Sequence, residues 1–236
     1  MLLTCLPMGR IAEPVPSLAA ARWAFPLVGV LVGLIGWAAQ QGALALGLGS
    51  LVAALMALGA LALATGALHL DGLADFADAL GGGRDRAHCL EIMRDSRIGS
   101  YGVVALIFAV ALPAGALSAT PDGLSLAAFL LTATASRLAM LAVLDLLPPA
   151  RADGLGHRAS GRAPLGWMPG ALLVLFIGVN VGFEALVVLL AMGMIGGLIA
   201  ILALRRLGGQ TGDVLGATQL CAEVVGFIAL SAWPGI

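Results

Sequence analysis

The sequence contains no lysine, little charge and few aromatic residues. Only 11% of its 236 residues are charged and 5% are aromatic, whereas 61% are apolar. Soluble globular domains carry roughly 45–50% apolar and about 25% charged residues, so this composition excludes an ordinary soluble domain and a disordered chain. The net charge of -1 also excludes a nucleic-acid-binding protein that relies on a basic face. Because lysine is absent, all twelve Lys/Arg cations are arginines.

Long apolar runs fill most of the chain. Each approaches the roughly 20 residues that a helix needs to cross the hydrocarbon core of a bilayer. The sequence therefore predicts one all-α integral-membrane domain over residues 1–236, a polytopic helical bundle of about seven transmembrane helices. The two runs before the final span, 166–183 and 184–204, are compatible with two spans or with one span plus a re-entrant segment. The runs fall at about 24–41, 43–68, 101–119, 124–147, 166–183, 184–204 and 214–232.

The arginines divide the connecting segments into two groups. Segments 1–23, 69–100, 148–165 and 205–213 contain eleven of the twelve arginines, and the alternate links contain none. The remaining one, Arg137, lies within a predicted span. Because positively charged loops stay in the cytoplasm, we expect a cytoplasmic N-terminus and an external C-terminus. The last three arginine-rich segments would then form one site that faces the cytoplasm.

Six of the thirteen acidic residues lie within one short segment. Asp71, Asp75 and Asp78 follow an i, i+4, i+7 spacing that places them on one helix face, and Glu91 and Asp95 are again four residues apart. Like charges at this spacing repel each other, so we expect a cation between them. Hard oxygen ligands in this number suit Mg²⁺, Mn²⁺ or Ca²⁺ rather than zinc or copper. The alternative is a solvated acidic surface helix.

Arginines are interleaved with these carboxylates. Arg94 and Arg97 flank Ser96 just before a predicted span. A guanidinium group can hold phosphate oxygens bidentately, and a serine hydroxyl adds a further donor. These three residues are therefore candidates for binding a phosphate. The alternative is that the arginines pair with the aspartates at the membrane interface.

A glycine-rich segment, 207–213, opens the last predicted helix. Free N–H groups at such a helix start can bind an anion, and Gln210, Thr211 and Asp213 add side-chain donors and acceptors. A simple capped helix start is the alternative.

Two charged residues lie well inside predicted spans, away from their ends. Arg137 is near the middle of one, where insertion costs about 2.5–3.5 kcal/mol, and Glu223 lies well inside the last. We expect Arg137 to face the interior of the bundle and to pair with a carboxylate or a substrate phosphate. A purely structural ion pair is the alternative.

Three motifs, in this order along the chain, carry a resemblance to a known family. They are His69-Leu70-Asp71-Gly72-Leu73-Ala74-Asp75 with Asp78, then Leu90-Glu91-Ile92-Met93-Arg94-Asp95-Ser96-Arg97-Ile98-Gly99, then Leu207-Gly208-Gly209-Gln210-Thr211-Gly212-Asp213 with Gly216 and Glu223. Segment 24–29 and Ser136-Arg137 also fit the pattern. The chain thus resembles the cobalamin synthases, the adenosylcobinamide-GDP ribazoletransferases, over essentially its whole length.

The resemblance implies a Mg²⁺-dependent enzyme of the bacterial inner membrane. Such enzymes join adenosylcobinamide-GDP to α-ribazole, or to its 5′-phosphate, and release GMP. Their product is adenosylcobalamin or its phosphate. The resemblance leaves open a homo-oligomer and an association with other corrinoid-pathway enzymes.

Roles for the clustered residues follow as a hypothesis. One or two Mg²⁺ ions would be bound by Asp71, Asp75, Asp78, Glu91 and Asp95. A carboxylate of this set would accept the proton of the attacking ribose hydroxyl. The catalytic candidates are Asp95, which is the first choice, and Asp75. Arg94 and Arg97 would hold the pyrophosphate, with Ser96 beside them. The nucleotide or ribose would contact Gln210, Thr211 and Asp213.

Two other functions remain to be separated from this one. A CDP-alcohol phosphotransferase also places aspartates and a metal at a cytoplasmic membrane face, but its signature opens Asp-Gly-x-x-Ala-Arg. Aligned on Asp71-Gly72, this chain has Asp75 and Phe76 in place of the alanine and the arginine. An ion-coupled transporter should carry its charges near the bilayer midplane, whereas most charges here lie at one interface.

Overall fold

The structure, a computed structural model, describes residues 3–6, 9, 17–159 and 166–233. Parts of two loops used for the topology prediction, with Arg10 and Arg162, lie outside these residues, as does the C-terminal end. Over the described ranges the chain forms α-helices, one 3₁₀ turn at Arg22–Ala24 and no β-strand. The helices are α1 (Leu18–Ala21), α2 (Phe25–Ala45), α3 (Ser50–Ala64), α4 (Leu68–Gly82), α5 (Arg86–Ile92), α6 (Ser100–Ser118), α7 (Leu126–Leu146), α8 (Gly154–Ala159), α9 (Met168–Val181), α10 (Glu184–Leu207) and α11 (Gly212–Leu230).

The helices fit a multi-pass membrane protein. Within the described part, five spans are long and apolar enough to cross a bilayer, and a sixth is added if the bent pair α3 and α4 counts as one. The prediction of seven spans is not confirmed. Helix α9 has 14 residues, which is about 21 Å against a hydrocarbon core of roughly 30 Å. Helix α3 has 15 residues and is likewise short.

Helix boundaries follow from local capping chemistry. Asp85, Ser125 and Thr211 each accept a hydrogen bond from the backbone N–H three residues later, at 2.9, 3.2 and 3.3 Å. These bonds satisfy backbone N–H groups in the first turn of α5, α7 and α11, which have no acceptor within their own helix. Helix α10 ends at Gly208, whose φ of 75° is a left-handed conformation that glycine adopts without steric cost.

Helices α7 and α11 form the centre of the bundle. In the apolar stretch of each of these two helices, 67% of the residues are buried. In the corresponding stretches that contain α2, α6 and α10, only 28–33% are buried. Helix α2 approaches α7 closely at Gly29. A Cβ there would lie 2.6 Å from the carbonyl oxygen of Ala133, so the approach requires glycine. The outer helices expose large apolar side chains, as a lipid-facing surface does, among them Ile107, Phe108, Leu175, Phe176, Val179, Met194 and Leu198.

A bend of 90° separates α3 from α4. Gly66 and Ala67 both adopt left-handed conformations there, with φ of 61° and 57°. An alanine in this conformation costs roughly 1–2 kcal/mol, so the surrounding packing must hold the bend. Thr65 closes α3 by donating its hydroxyl to the carbonyl of Leu61 at 3.0 Å. The bend directs α4 across the bundle, where it packs between α6 and α11.

Candidate active site

Two glycines bring the acidic face of α4 against α11. A Cβ on Gly72 would lie 2.9 Å from the carbonyl oxygen of Asp213 and 3.3 Å from the Cα of Gly216, so glycine is needed at this crossing. The crossing places Asp213 close enough to Asp71 and Asp75 for all three carboxylates to interact electrostatically. Three carboxylates from two separate motifs therefore face each other.

One nearby cation offsets part of this negative charge. The guanidinium of Arg151 lies 4.0 Å from the carboxylate of Asp213 and also acts on Asp75. Because the charge of Arg151 balances only one of these three carboxylates, this described part of the cluster retains a net negative field that would attract a divalent cation.

An open cleft of about 650 Å³ lies beside the cluster. Five of the residues singled out from the sequence line it, namely Asp71, Asp75, Arg94, Asp95 and Ser96. Its remaining walls are apolar and include Leu70, Met93, Ile98, Leu106 and Val110. We call it the acidic cleft. Its volume is in the range of small-molecule sites, roughly 300–1,000 Å³.

The three polar segments of the sequence contact each other through hydrogen bonds. Arg151 of segment 148–165 donates to the carbonyl of Leu90 at 3.0 Å. Arg206, at the end of α10, donates to the carbonyl of Gly83 at 2.7 Å. Both bonds run from an arginine to a backbone carbonyl, so they tie distant segments together without consuming a carboxylate.

Gln210 connects the glycine-rich segment to the segment before α8. Its backbone N–H donates to the carbonyl of Pro148, and its carbonyl accepts from Ala150 N–H, both at 2.8 Å. Its side chain donates to the carbonyl of Gly156 at 3.2 Å and is 1% exposed. Thr211 caps α11. Gln210 and Thr211 thus hold the loop in place, in agreement with the alternative of a capped helix start. Asp213 is the member of this motif that faces the other carboxylates.

Asp95 and Arg97 form a tight exposed pair. The Nη2 and Nε atoms of Arg97 donate to the carboxylate of Asp95 at 2.6 and 3.1 Å. These hydrogen bonds lower the pKa of Asp95 and raise the pKa of Arg97. Asp95 thus stays ionised but becomes a weaker proton acceptor.

Arg94 is also paired with a carboxylate, since its Nη2 donates to both oxygens of Asp153 at 3.0 and 3.1 Å. Both side chains are more than half exposed. Exposed pairs of this kind contribute about 0–1 kcal/mol, so a phosphate could compete for the guanidinium.

Asp78 and Glu91 do not line the acidic cleft. Both oxygens of Asp78 accept backbone N–H bonds, from Gly99 at 2.7 Å and from Gly102 at 2.8 Å. Asp78 therefore caps the N-terminus of α6, and Glu91 lies exposed on α5. Over the described ranges, no three His, Cys, Asp or Glu side chains are placed to hold a metal ion by themselves.

Arg137 is fully buried and does not line the acidic cleft. Its Nη1 donates to the carbonyl of Ala133 at 2.8 Å and forms an ion pair with Glu223 at 3.5 Å. Of the two partners expected for it, the structure shows the carboxylate. Sequence reasoning missed Gln219, which precedes Glu223 by one helical turn and lies in the same interior region. That spacing is the signal that could have found it.

Comparison with known families separates the candidate functions. The family model for CobS, cobalamin-5-phosphate synthase, matches residues 1–231. The chain belongs to this family. The resemblance noted from the three motifs is therefore confirmed.

Several curated relatives in the cobalamin synthase family are similar over nearly the whole chain. The protein named adenosylcobinamide-GDP ribazoletransferase from Bradyrhizobium diazoefficiens is 45% identical over 237 residues, covering 98% of this chain and 90% of the relative. The protein of the same name from Xanthobacter autotrophicus is 46% identical, covering 98% and 92%. The one from Azorhizobium caulinodans is 46% identical, covering 89% and 83%. No solved structure gives a significant match.

In this member of the cobalamin synthase family, parts of all three motifs meet at α4. The first motif forms α4, the second forms the segment that lines the other side of the acidic cleft, and the third forms the start of α11. Segments separated by more than 100 residues along the chain thus contribute to one charged region.

Proposed function

We propose that this chain joins adenosylcobinamide-GDP to α-ribazole, or to its 5′-phosphate, and releases GMP. The observation that carries the proposal is the acidic cleft, which unites carboxylates of one motif with the arginine, serine and aspartate of another. A pyrophosphate-bearing substrate needs both kinds of group, since its oxygens require cations and its attacking hydroxyl requires a base. The names of the relatives supply the substrates.

The proposed reaction is a phosphodiester-forming displacement. A ribose hydroxyl oxygen of α-ribazole forms a bond to the phosphorus that carries cobinamide. The bond between that phosphorus and the oxygen bridging to the second phosphate breaks, and GMP leaves with that oxygen. A carboxylate of the acidic cleft accepts the hydroxyl proton. Arg97 lowers the pKa of Asp95, which favours Asp75 over Asp95 as this acceptor.

We propose Mg²⁺ as the cofactor, held by Asp71 and Asp75 with Asp213 facing them. Mg²⁺ is commonly bound by one or two carboxylates and completed by waters and substrate phosphates, which suits a cluster that forms no full cage among the described residues. When bound, the ion would neutralise charge on the pyrophosphate. The N–H bonds of Asp78 and the position of Glu91 outside the cleft leave both out of this proposed ligand set.

Arg94 and Arg97 are proposed to bind the pyrophosphate together with Ser96. Each arginine would exchange an exposed carboxylate partner for phosphate oxygens, which is a small cost because exposed pairs contribute little. In the glycine-rich segment we propose Asp213 as the residue nearest the substrate, with Gln210 and Thr211 as positioning residues that fix the loop.

The experiment is a GMP-release assay on the purified protein in detergent. We expect GMP only when adenosylcobinamide-GDP, α-ribazole and Mg²⁺ are all present, and no release after excess chelator. A CDP-alcohol donor with a lipid acceptor serves as the control and should give no product. Release that persists in chelator would contradict the Mg²⁺ proposal, and product from the lipid reaction alone would contradict the substrate assignment.

We also propose seven spans in the bacterial inner membrane, with the N-terminus and the acidic cleft on the cytoplasmic side. Arg86, Arg151 and Arg206 each donate to a backbone carbonyl of another arginine-rich segment, which supports one arginine-rich end. At the other end, Gln41 Nε2 donates to the carbonyl of Asp122 at 3.3 Å, so two arginine-free links meet there. A homo-oligomer and contacts with other corrinoid-pathway enzymes remain predictions.

Reporter fusions test this orientation. A phosphatase that is active only outside the cytoplasm should be active when fused after Ile236, and a fluorescent protein that folds only in the cytoplasm should stay dark there. The same reporters fused after Asp153 should behave in the opposite way, because that loop carries arginines. A fluorescent C-terminal fusion would overturn the proposed topology.

A further inference from the structure

A second cavity lies inside the bundle, next to the acidic cleft. It has a volume of about 210 Å³, and Leu70 and Val110 line both spaces. Most of its apolar walls belong to α3 and α6, whereas its polar lining consists of Thr65, His69, Arg137, Gln219 and Glu223. We call this space the polar chamber. A polar lining at this depth is costly and is the usual mark of a functional site.

Several buried polar atoms of the polar chamber have no hydrogen-bond partner among the described residues. They are the donors Nε and Nη2 of Arg137 and the acceptors Oε1 of Gln219 and Oε1 of Glu223, together with Nε2 of His69. Arg137 is 0% exposed and Glu223 is 7% exposed. The 3.5 Å separation between Arg137 and Glu223 makes an ion pair but only a weak hydrogen bond. Burial of unsatisfied groups is unfavourable, so these atoms point to a ligand.

The charges of the chamber select against an ionic ligand. Arg137 and Glu223 carry opposite charges side by side, so their sum is zero. An anion drawn to the arginine would meet the glutamate, and a cation would meet the arginine. A neutral group with both donors and acceptors is the chemistry that satisfies both sides.

A primary carboxamide has the matching inventory. Its carbonyl oxygen offers two lone pairs to the two free N–H donors of Arg137, and its NH₂ group offers two protons to the free oxygens of Gln219 and Glu223. A hydroxyl group offers a single proton and matches less well. The chamber volume of about 210 Å³ admits a side arm but excludes a corrin ring or a nucleotide.

We propose that the polar chamber is a subsite for a carboxamide arm of the corrinoid substrate, with Arg137, Gln219 and Glu223 as its ligands. This inference rests on the proposed function, because cobinamide is the substrate that carries peripheral carboxamides. Its ring would lie at the mouth between α3 and α6, and its pyrophosphate would extend into the adjoining acidic cleft. The chamber thus gives Arg137 and Glu223 a role in substrate recognition rather than in phosphate binding.

Two variants test the subsite by equilibrium binding of adenosylcobinamide-GDP to the purified protein, without α-ribazole. Gly59 lines the chamber, and a Cβ there would meet no atom within 4 Å, so Gly59→Leu narrows the mouth without disturbing the core. Gly193→Leu is its control, since Gly193 has equal free space on α10. Gln219→Met removes the polar atoms at similar volume, and the isosteric Thr218→Val on the same helix is its control.

We expect both chamber variants to raise the Kd of adenosylcobinamide-GDP by about tenfold or more, and both controls to leave it within about twofold. The KM of α-ribazole should not change. Unchanged Kd values in both chamber variants would mean that only water or lipid fills the chamber, and would overturn the inference. Failure of the wild-type protein to bind adenosylcobinamide-GDP would instead contradict the proposed function.

A second measurement identifies the recognised group. The probes are a set of adenosylcobinamide-GDP analogues, and in each analogue a different carboxamide is hydrolysed to a carboxylate. One analogue should bind the wild-type protein at least tenfold more weakly than the others, because its carboxylate meets Glu223, and Gln219→Met should reduce this difference. Equal binding of all the analogues would overturn the carboxamide assignment.

Discussion

Replacing Asp75 by asparagine is expected to lower GMP release on the order of 10³-fold. Asp75 lies on the acidic cleft and within the electrostatic reach of the carboxylates of Asp71, Asp78 and Asp213. The substitution removes a proposed Mg²⁺ ligand and the favoured proton acceptor while it keeps the size of the side chain. The measurement is Mg²⁺-dependent GMP release at saturating substrates.

The matched control is Asp122→Asn, an exposed aspartate at the opposite end of the bundle, which should retain full release. Asp95→Asn separates the two catalytic candidates. If Asp75 is the base, Asp95→Asn should lose much less activity than Asp75→Asn, because it removes a carboxylate already weakened by Arg97. Full release by both Asp75→Asn and Asp95→Asn would show that the metal-site assignment is wrong.

Asp78→Ala is expected to destabilise the protein by about 3 kcal/mol or more, with or without Mg²⁺. It leaves the N–H groups of Gly99 and Gly102 without their carboxylate partner, and hydrogen bonds to a charged group contribute roughly 1.5–3 kcal/mol each. It also removes a negative charge from the N-terminus of α6, where the helix dipole favours one. The measurement is the thermal midpoint in detergent.

Asp153→Ala is the control for this experiment, because it removes an exposed aspartate paired with Arg94 and should change the midpoint little. We expect Asp78→Glu not to restore the cap, because the extra methylene would displace the carboxylate from the position that two backbone N–H bonds fix. An Asp78→Ala protein with the wild-type midpoint but weakened Mg²⁺ dependence would instead support the metal-ligand role predicted from the sequence.

The amino-acid sequence predicts the helical class and which acidic residues share a helix face, because both depend on local pattern. Composition predicts a membrane bundle, and the spacing of Asp71 and Asp75 predicts a shared helix face that the structure places on the cleft. The partner of Asp78 is not predictable in this way. Its N–H donors come from Gly99 and Gly102, more than twenty residues away, on a helix whose position depends on tertiary packing.

The span boundaries show the same limit. In the apolar run 43–68, Gly66 is a local signal for the end of α3 at Ala64, but nothing local predicts that Ala67 adopts a left-handed conformation, since alanine is ordinarily a helix former. The polar chamber was also hidden, because Arg137 and Glu223 lie on α7 and α11 and meet only when these helices pack together. The sequence pattern shows where costly charges lie but not which of them pair.

The 90° bend before α4 has a consequence for the bilayer itself. Helix α3 has 15 residues, about 22 Å, so it falls short of the hydrocarbon thickness by about 8 Å. Hydrophobic mismatch of this size is relieved by thinning of the adjacent leaflet or by polar groups lying below the headgroups. We therefore expect the carboxylates of α4 to lie within the interfacial zone rather than in bulk solvent. Membrane thickness would then be a determinant of how readily an amphipathic substrate reaches them.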